Sequence, residues 1–147
     1  MKIETKFLGI VEIEEKDIIH FDTGLPGFED IKEYVILPVE IDSPFALLQS
    51  IKEKEIGFVL AFPFAFKSDY AFDITDEEKV DLKANQHDDL AIYSIVSVKD
   101  NFKDSTLNLL APVLINVKEK CGRQVVLQDS KTYPLHYPLQ TVEGSAK

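Results

Sequence analysis

From Lys2 to Phe21 apolar and polar residues alternate on either side of Leu8-Gly9: Ile3, Thr5 and Phe7 share one face before the break, Val11 and Ile13 after it. A period of two predicts a hairpin, or two short strands with a bulge at Gly9. Tyr34 to Val39 and Phe45 to Ile51 read as further strands, with Asp42, Ser43 and Pro44 supplying turn chemistry between them. Gly57 to Phe62 and Leu90 to Val98 are continuous apolar runs rich in β-branched and aromatic residues, expected in the middle of the core. The stretch "PVLINVKEKCGRQVVLQD" predicts two strands around a turn at Cys121-Gly122, with Val113, Ile115 and Val117 on one face of the first.

One helical segment stands out. In "ITDEEKVDLKAN" Thr75 can cap the first turn while Glu78 reaches back three residues later, the capping-box pattern. Asp76 and Glu77 suit the positive end of the helix dipole, Lys79 and Lys83 the negative end, and Asn85 can take a left-handed stop. The apolar face is thin, essentially Val80 and Ala84 with Leu82 to one side, so the helix must lie on a β structure. Many short strands and one short peripheral helix predict a mostly β fold, a small antiparallel barrel-like domain or a sandwich. A chain of 147 residues fits one domain, expected over residues 1–140, and can bury on the order of two-thirds of its unfolded surface. Residues 141–147, "TVEGSAK", read as a flexible tail.

The segment "HFDTGLPGFEDIKEY", His20 to Tyr34, raises a question of chemistry. A P-loop needs Gly, four residues, then Gly-Lys and Ser or Thr, whereas "GLPG" spaces its glycines three apart and continues with Phe28 and Glu29. A tight corner explains it better. Pro26 fixes φ at the first central position and Gly27 takes the positive φ required at the second, a type II turn flanked by Gly24 and pinned by Leu25 and Phe28.

Charge narrows the partner classes. Twenty-six acidic residues against sixteen basic ones give a formal net charge of -10. Phosphate backbones reward cationic surfaces, so direct nucleic-acid binding is not expected. A basic protein partner fits, and simple solubility is the alternative. Cys121 is the single cysteine, which rules out an intrachain disulfide and favours a cytoplasmic location. "GFVLAFPFAF" is broken by Pro63, short of the roughly 20 residues a membrane helix needs, so no membrane partner is expected. Helix-start preference accounts for most of the acidic set Asp73, Asp76, Glu77 and Glu78, and "NQHDD" around His87 lacks companion ligands, so neither metal nor cofactor is expected. A Cys121 and His136 nucleophile pair lacks an orienting base, Cys121 falling in a predicted exposed turn, and no other catalytic motif appears. A pocketed barrel serving as a small enzyme or ligand carrier is the rival class, but the interior is predicted to be mostly Phe, Val, Ile and Leu. Asn108 and Asn116, set among apolar strand formers, are expected to fix backbone turns.

Three segments in order resemble the FliW family of flagellar assembly factors: "FDTGLPGFED" at 21–30, "LLQSI" with "FVLAFPF" at 47–64, and "LNLLAPVLIN" with "GRQVVLQDSKTYPLHYPL" at 107–139. The "FAFKSDY" and "HYPL" stretches depart from the family pattern in loops. The resemblance implies a non-enzymatic β-barrel-like cytoplasmic protein, expected to be monomeric, that binds flagellin and the translational regulator CsrA. It implies allosteric antagonism of CsrA, with newly made flagellin competing for the factor so that flagellin translation follows secretion. On this reading Asp73, Asp76, Glu77 and Glu78 form an acidic approach surface for CsrA. Leu25, Phe28 and Glu29 lie at or beneath a partner surface, held by Gly24, Pro26 and Gly27.

Overall fold

The computed structural model describes residues 1–39, 43–84 and 90–139. Its strands are β1 (Lys2–Glu4), β2 (Ile10–Glu12), β3 (Ile19–His20), β4 (Glu33–Pro38), β5 (Phe45–Ser50), β6 (Gly57–Ala61), β7 (Leu90–Ser97), β8 (Thr106–Leu107), β9 (Val113–Asn116), β10 (Cys121–Gln124) and β11 (Tyr137–Pro138), with one α-helix among the described residues, α1 (Asp76–Asp81). The predicted tail 141–147, the left-handed stop at Asn85 and the loop around His87 lie outside the described residues.

β7 closes the fold. Along one edge it pairs with β6; along the other, its first half (Leu90 to Tyr93) pairs with β9 and its second half (Val96 and Ser97) with β8. The order β7-β6-β5-β4-β3-β10-β9 therefore returns to β7 and makes a seven-stranded barrel, while β8 and β11 extend from it as a flap. Closure removes the unpaired edges that an open sheet would expose. The pairings are antiparallel except β3 with β10, which run parallel at His20 and Cys121.

Period two sorts the apolar runs onto two faces. Tyr34, Leu48, Leu60, Val113 and Ile115 meet Ile19, Phe21 and Leu25 in one buried cluster that fills the barrel. Val35, Leu37 and Leu47 point the other way and are covered by Ile3, Ile13 and Ile18 of the N-terminal segment, including the β1–β2 hairpin. Ala61, Val96, Leu107 and Leu109 pack with Tyr70 and Leu139 on another outer face. Leu114 and Val125 are covered by Ile74, Leu82 and Ala84 around α1. Covering layers on the outside explain why the strands read as continuous apolar runs instead of clean alternations.

Four details differ from the sequence expectations. Phe7 is exposed, because the chain already reverses after Glu4: the Thr5 and Gly9 backbones bond at 2.8 Å, and the Thr5 hydroxyl holds both Gly9 O and Leu8 N. The β9–β10 turn spans Val117 to Lys120, with Lys120 at φ 57, so Cys121 and Gly122 belong to a strand and Val117 is exposed. Cys121 is accordingly buried and donates to Leu82 O at 3.3 Å. On α1, Val80 is 75% exposed while Leu82 is fully buried, because Lys83 at φ 55 ends the helix and turns Leu82 inward with Ala84.

Candidate protein-binding surface

The Gly24 to Glu29 corner is built by backbone geometry. Phe28 N donates to Leu25 O at 2.7 Å across a turn with Gly27 at φ 88, as a type II turn requires. Gly24 carries a double constraint: its φ is 67, and a Cβ there would sit 2.6 Å from the Glu29 Cα. Only glycine meets both conditions without moving backbone. Leu25 is buried in the barrel cluster, and Phe28 is half-buried with its ring 5.4 Å from Phe58 in a T-shaped contact. Pro26, Gly27 and Glu29 are exposed. The Glu29 carboxylate accepts the Gly27 N–H at 3.0 Å, and that bond holds its pKa below the usual glutamate value. Glu29 is thus both a surface charge and a strut of the turn.

The corner is seated on β10 through Phe21. A Cβ at Gly122 would lie 2.6 Å from the Phe21 ring, so the glycine makes the room that the ring occupies. Phe21 in turn stacks edge-on to Tyr34 at 5.3 Å. Burial pushes the Tyr34 phenol up to about 12, which leaves it a neutral part of the filling.

The acidic set lies around the start of α1. Thr75 Oγ1 accepts from Glu78 N at 3.1 Å and Glu78 Oε1 from Thr75 N at 2.8 Å, a complete capping box. Asp73, Asp76 and Glu77 are exposed and Glu78 is partly exposed. Three carboxylates therefore face solvent, while the fourth is engaged by the helix itself.

Between the two segments lies a cleft of about 260 Å³, with Asp22 and Thr23 on one wall, Val80, Asp81 and Lys83 on the other, and Cys121 to Arg123 between them. Arg123 pairs with Asp81 and fastens β10 to α1. None of the ten corner and acidic residues singled out from the sequence lines this cleft, nor either of two further clefts among the described residues, one beside Lys32 and Lys52 and one beside Ile36 and Tyr93. What the cleft brings together is the base of the corner and the end of the helix.

The remaining candidate chemistry does not converge. Burial raises the Cys121 thiol pKa, which disfavours the thiolate a nucleophile would need. His136 Nδ1 is 3.4 Å from Thr106 Oγ1, and His20 Nδ1 is 4.0 Å from a Glu33 carboxylate oxygen. His20 is thus less isolated than its sequence neighbours suggest, since β3 pairs with β4 and β10. Among the described residues no three His, Cys, Asp or Glu side chains are grouped so that they could hold a metal ion. No described helix is long and apolar enough to cross a membrane.

The profile of the family described as FliW protein matches residues 2–139. The chain belongs to the FliW family. A relative named flagellar assembly factor FliW, from Exiguobacterium sp., is 45% identical over 139 residues, covering 95% of this chain and 94% of the relative. One of the same name from Geobacillus thermodenitrificans is 43% identical over 92% of this chain and 94% of its own length. A crystal structure of the flagellar assembly factor FliW superposes with a TM-score of 0.87 at 40% identity, covering 95% of this chain and 96% of that one. The FliW match takes in both the corner and α1, and it also spans Asp22, Asp81, Cys121 and Arg123, which sequence reasoning left out of the candidate surface. Their only signal is long-range: β3, α1 and β10 are distant in sequence, and nothing local announces that they meet.

Proposed function

We propose that this FliW-family chain acts in flagellar assembly as a cytoplasmic, non-enzymatic, monomeric protein-binding regulator. It binds flagellin and antagonises CsrA by direct and allosteric contact, flagellin competing for it, so that flagellin translation is coupled to secretion. The observation that carries this reading is the family match along 95% of the chain to relatives named flagellar assembly factors. Two features of the surface support it. Asp73, Asp76 and Glu77 are exposed together beside α1, an arrangement suited to drawing in a basic partner such as an RNA-binding regulator. The corner presents Pro26, Gly27 and Glu29 over an anchored Leu25 and Phe28, so a partner meeting it finds a fixed shape and little ordering cost. The filled interior favours this reading over a small enzyme or ligand carrier, which would need an internal pocket with converging polar groups.

The test is a competition experiment with purified CsrA and flagellin. Binding to each alone, with flagellin displacing CsrA, is the expected result. Failure to bind either protein would remove the reading.

A further inference from the structure

Asn116 is a polar residue at the end of a strand whose other three members, Val113, Leu114 and Ile115, are fully buried and apolar. It is itself only 2% exposed, and both ends of its carboxamide are engaged. Nδ2 donates to Leu82 O at 2.9 Å and Lys83 O at 3.3 Å; Oδ1 accepts from Lys118 N at 3.1 Å and Glu119 N at 3.0 Å. One side chain therefore ties the carbonyls at the end of α1 to the amides of the β9–β10 turn.

Those carbonyls are groups that a helix leaves without internal partners. The Cys121 thiol, on the residue paired with Asn116 across β9 and β10, donates to the same Leu82 O. A six-residue helix is far too short to persist unaided, so the position of α1 depends on the contacts it makes with the barrel. Among the described residues those are the burial of Ile74, Leu82 and Ala84, the Arg123 pair to Asp81, the weak thiol bond from Cys121, and the Asn116 clamp. The clamp is the one that fixes direction. Apolar burial tolerates sliding and the Arg123 pair is partly solvated, whereas the amide bonds the helix end and the turn at once. Alanine would remove the bonds to the turn amides and leave Leu82 O only the weak Cys121 thiol; aspartate would set an anionic oxygen against the two helix carbonyls.

We propose that Asn116 is a positioning residue: its carboxamide sets where α1 sits and, through α1, where Asp73, Asp76 and Glu77 are presented. The second half rests on the proposed role of those acids in meeting CsrA. Asn116 itself lies behind the helix and touches no partner.

The test combines hydrogen exchange with a double-mutant cycle on the full chain. In Asn116→Ala, exchange at residues 76–82 and 117–119 is expected to rise at least tenfold while β4, β5 and β6 keep their protection. CsrA affinity at low ionic strength is expected to fall about fivefold, and that loss is expected to vanish in an Asp76→Lys, Glu77→Lys background. Asn116→Ser, which keeps a polar group on the strand, carries the same comparison if the alanine variant is unstable. Exchange that rises uniformly over the barrel overturns the positioning role. So does an Asn116→Ala effect on affinity that is absent, or that simply adds to a loss caused by the two lysines. If the lysine variant alone leaves CsrA affinity unchanged, it is the acidic-surface reading that fails, and the exchange pattern still decides whether Asn116 holds α1.

Discussion

Replacing Gly24 with alanine separates two causes that usually act together. Gly24 and Gly27 both have positive φ, 67 and 88, but a Cβ at Gly27 meets nothing within 4 Å whereas one at Gly24 would lie 2.6 to 2.8 Å from the Glu29 backbone. Placing an L-residue in the left-handed region costs about 1–2 kcal/mol. Restricting the unfolded chain returns about 0.4–1 kcal/mol of that. Gly27→Ala is therefore expected to destabilise by about 0–1.5 kcal/mol. Gly24→Ala bears the same balance plus an overlap against backbone, which cannot rotate aside as a side-chain tip can; overpacking of this kind costs about 1–3 kcal/mol. The expected total is about 1–4.5 kcal/mol, a large share of a typical folding stability of about 5–15 kcal/mol. At about 2–4 °C per kcal/mol for a chain of this size, Gly24→Ala lowers Tm clearly and Gly27→Ala little. Urea unfolding of both variants beside the parent measures the difference with m-values as a check on two-state behaviour. Equal losses, or a larger loss at Gly27, would refute the claim that close backbone approach dictates Gly24.

Leu82→Ala is expected to cost about 2–5 kcal/mol, because the side chain is fully buried under α1, whereas Val80→Ala, on an exposed side chain, stays within about 0.5 kcal/mol; chemical denaturation ranks the pair. Glu29 has a pKa lowered by its bond to Gly27 N–H, so its support of the corner is fully present above the ordinary glutamate range and is lost as pH falls through the lowered value. An NMR titration of the Gly27 amide is expected to follow that carboxylate and to lose the transition in Glu29→Gln. Cys121, buried with its thiol pKa raised, is expected to resist alkylation at neutral pH until the chain unfolds; rapid labelling of the native protein would contradict its placement on β10.

The parts of this structure legible in the sequence are those with local causes. Thr75 and Glu78 write a capping box within four residues, and Pro26-Gly27 a turn within two, so neither needs knowledge of the rest of the chain. Strand positions followed from β-branched and aromatic runs. What the sequence did not show depends on pairing between distant segments. Glycine is a turn former, which points to a β9–β10 turn at Cys121-Gly122, yet Gly122 is required by the ring of Phe21, just after β3, and the reversal itself uses Lys120 in a left-handed conformation. Helical spacing favours Val80 over Leu82, and the left-handed Lys83, two residues before the expected stop at Asn85, reverses that order. Closure through β7 and β9, the parallel contact of β3 with β10, and the cleft they form with α1 are all long-range consequences of the same kind. Asn116 was the exception that carried a hint, since a buried amide among apolar neighbours must find partners somewhere.

Whether this FliW-family chain meets a basic protein partner through the exposed acids beside α1, as proposed, is read by titrating CsrA into the Asp73→Lys, Asp76→Lys, Glu77→Lys variant and into the parent at low ionic strength. All three side chains are exposed, so the fold should survive the change. The expected result is a marked loss of affinity in the variant that narrows as salt screens the parent's advantage. Equal affinity of variant and parent for CsrA at low salt would contradict it.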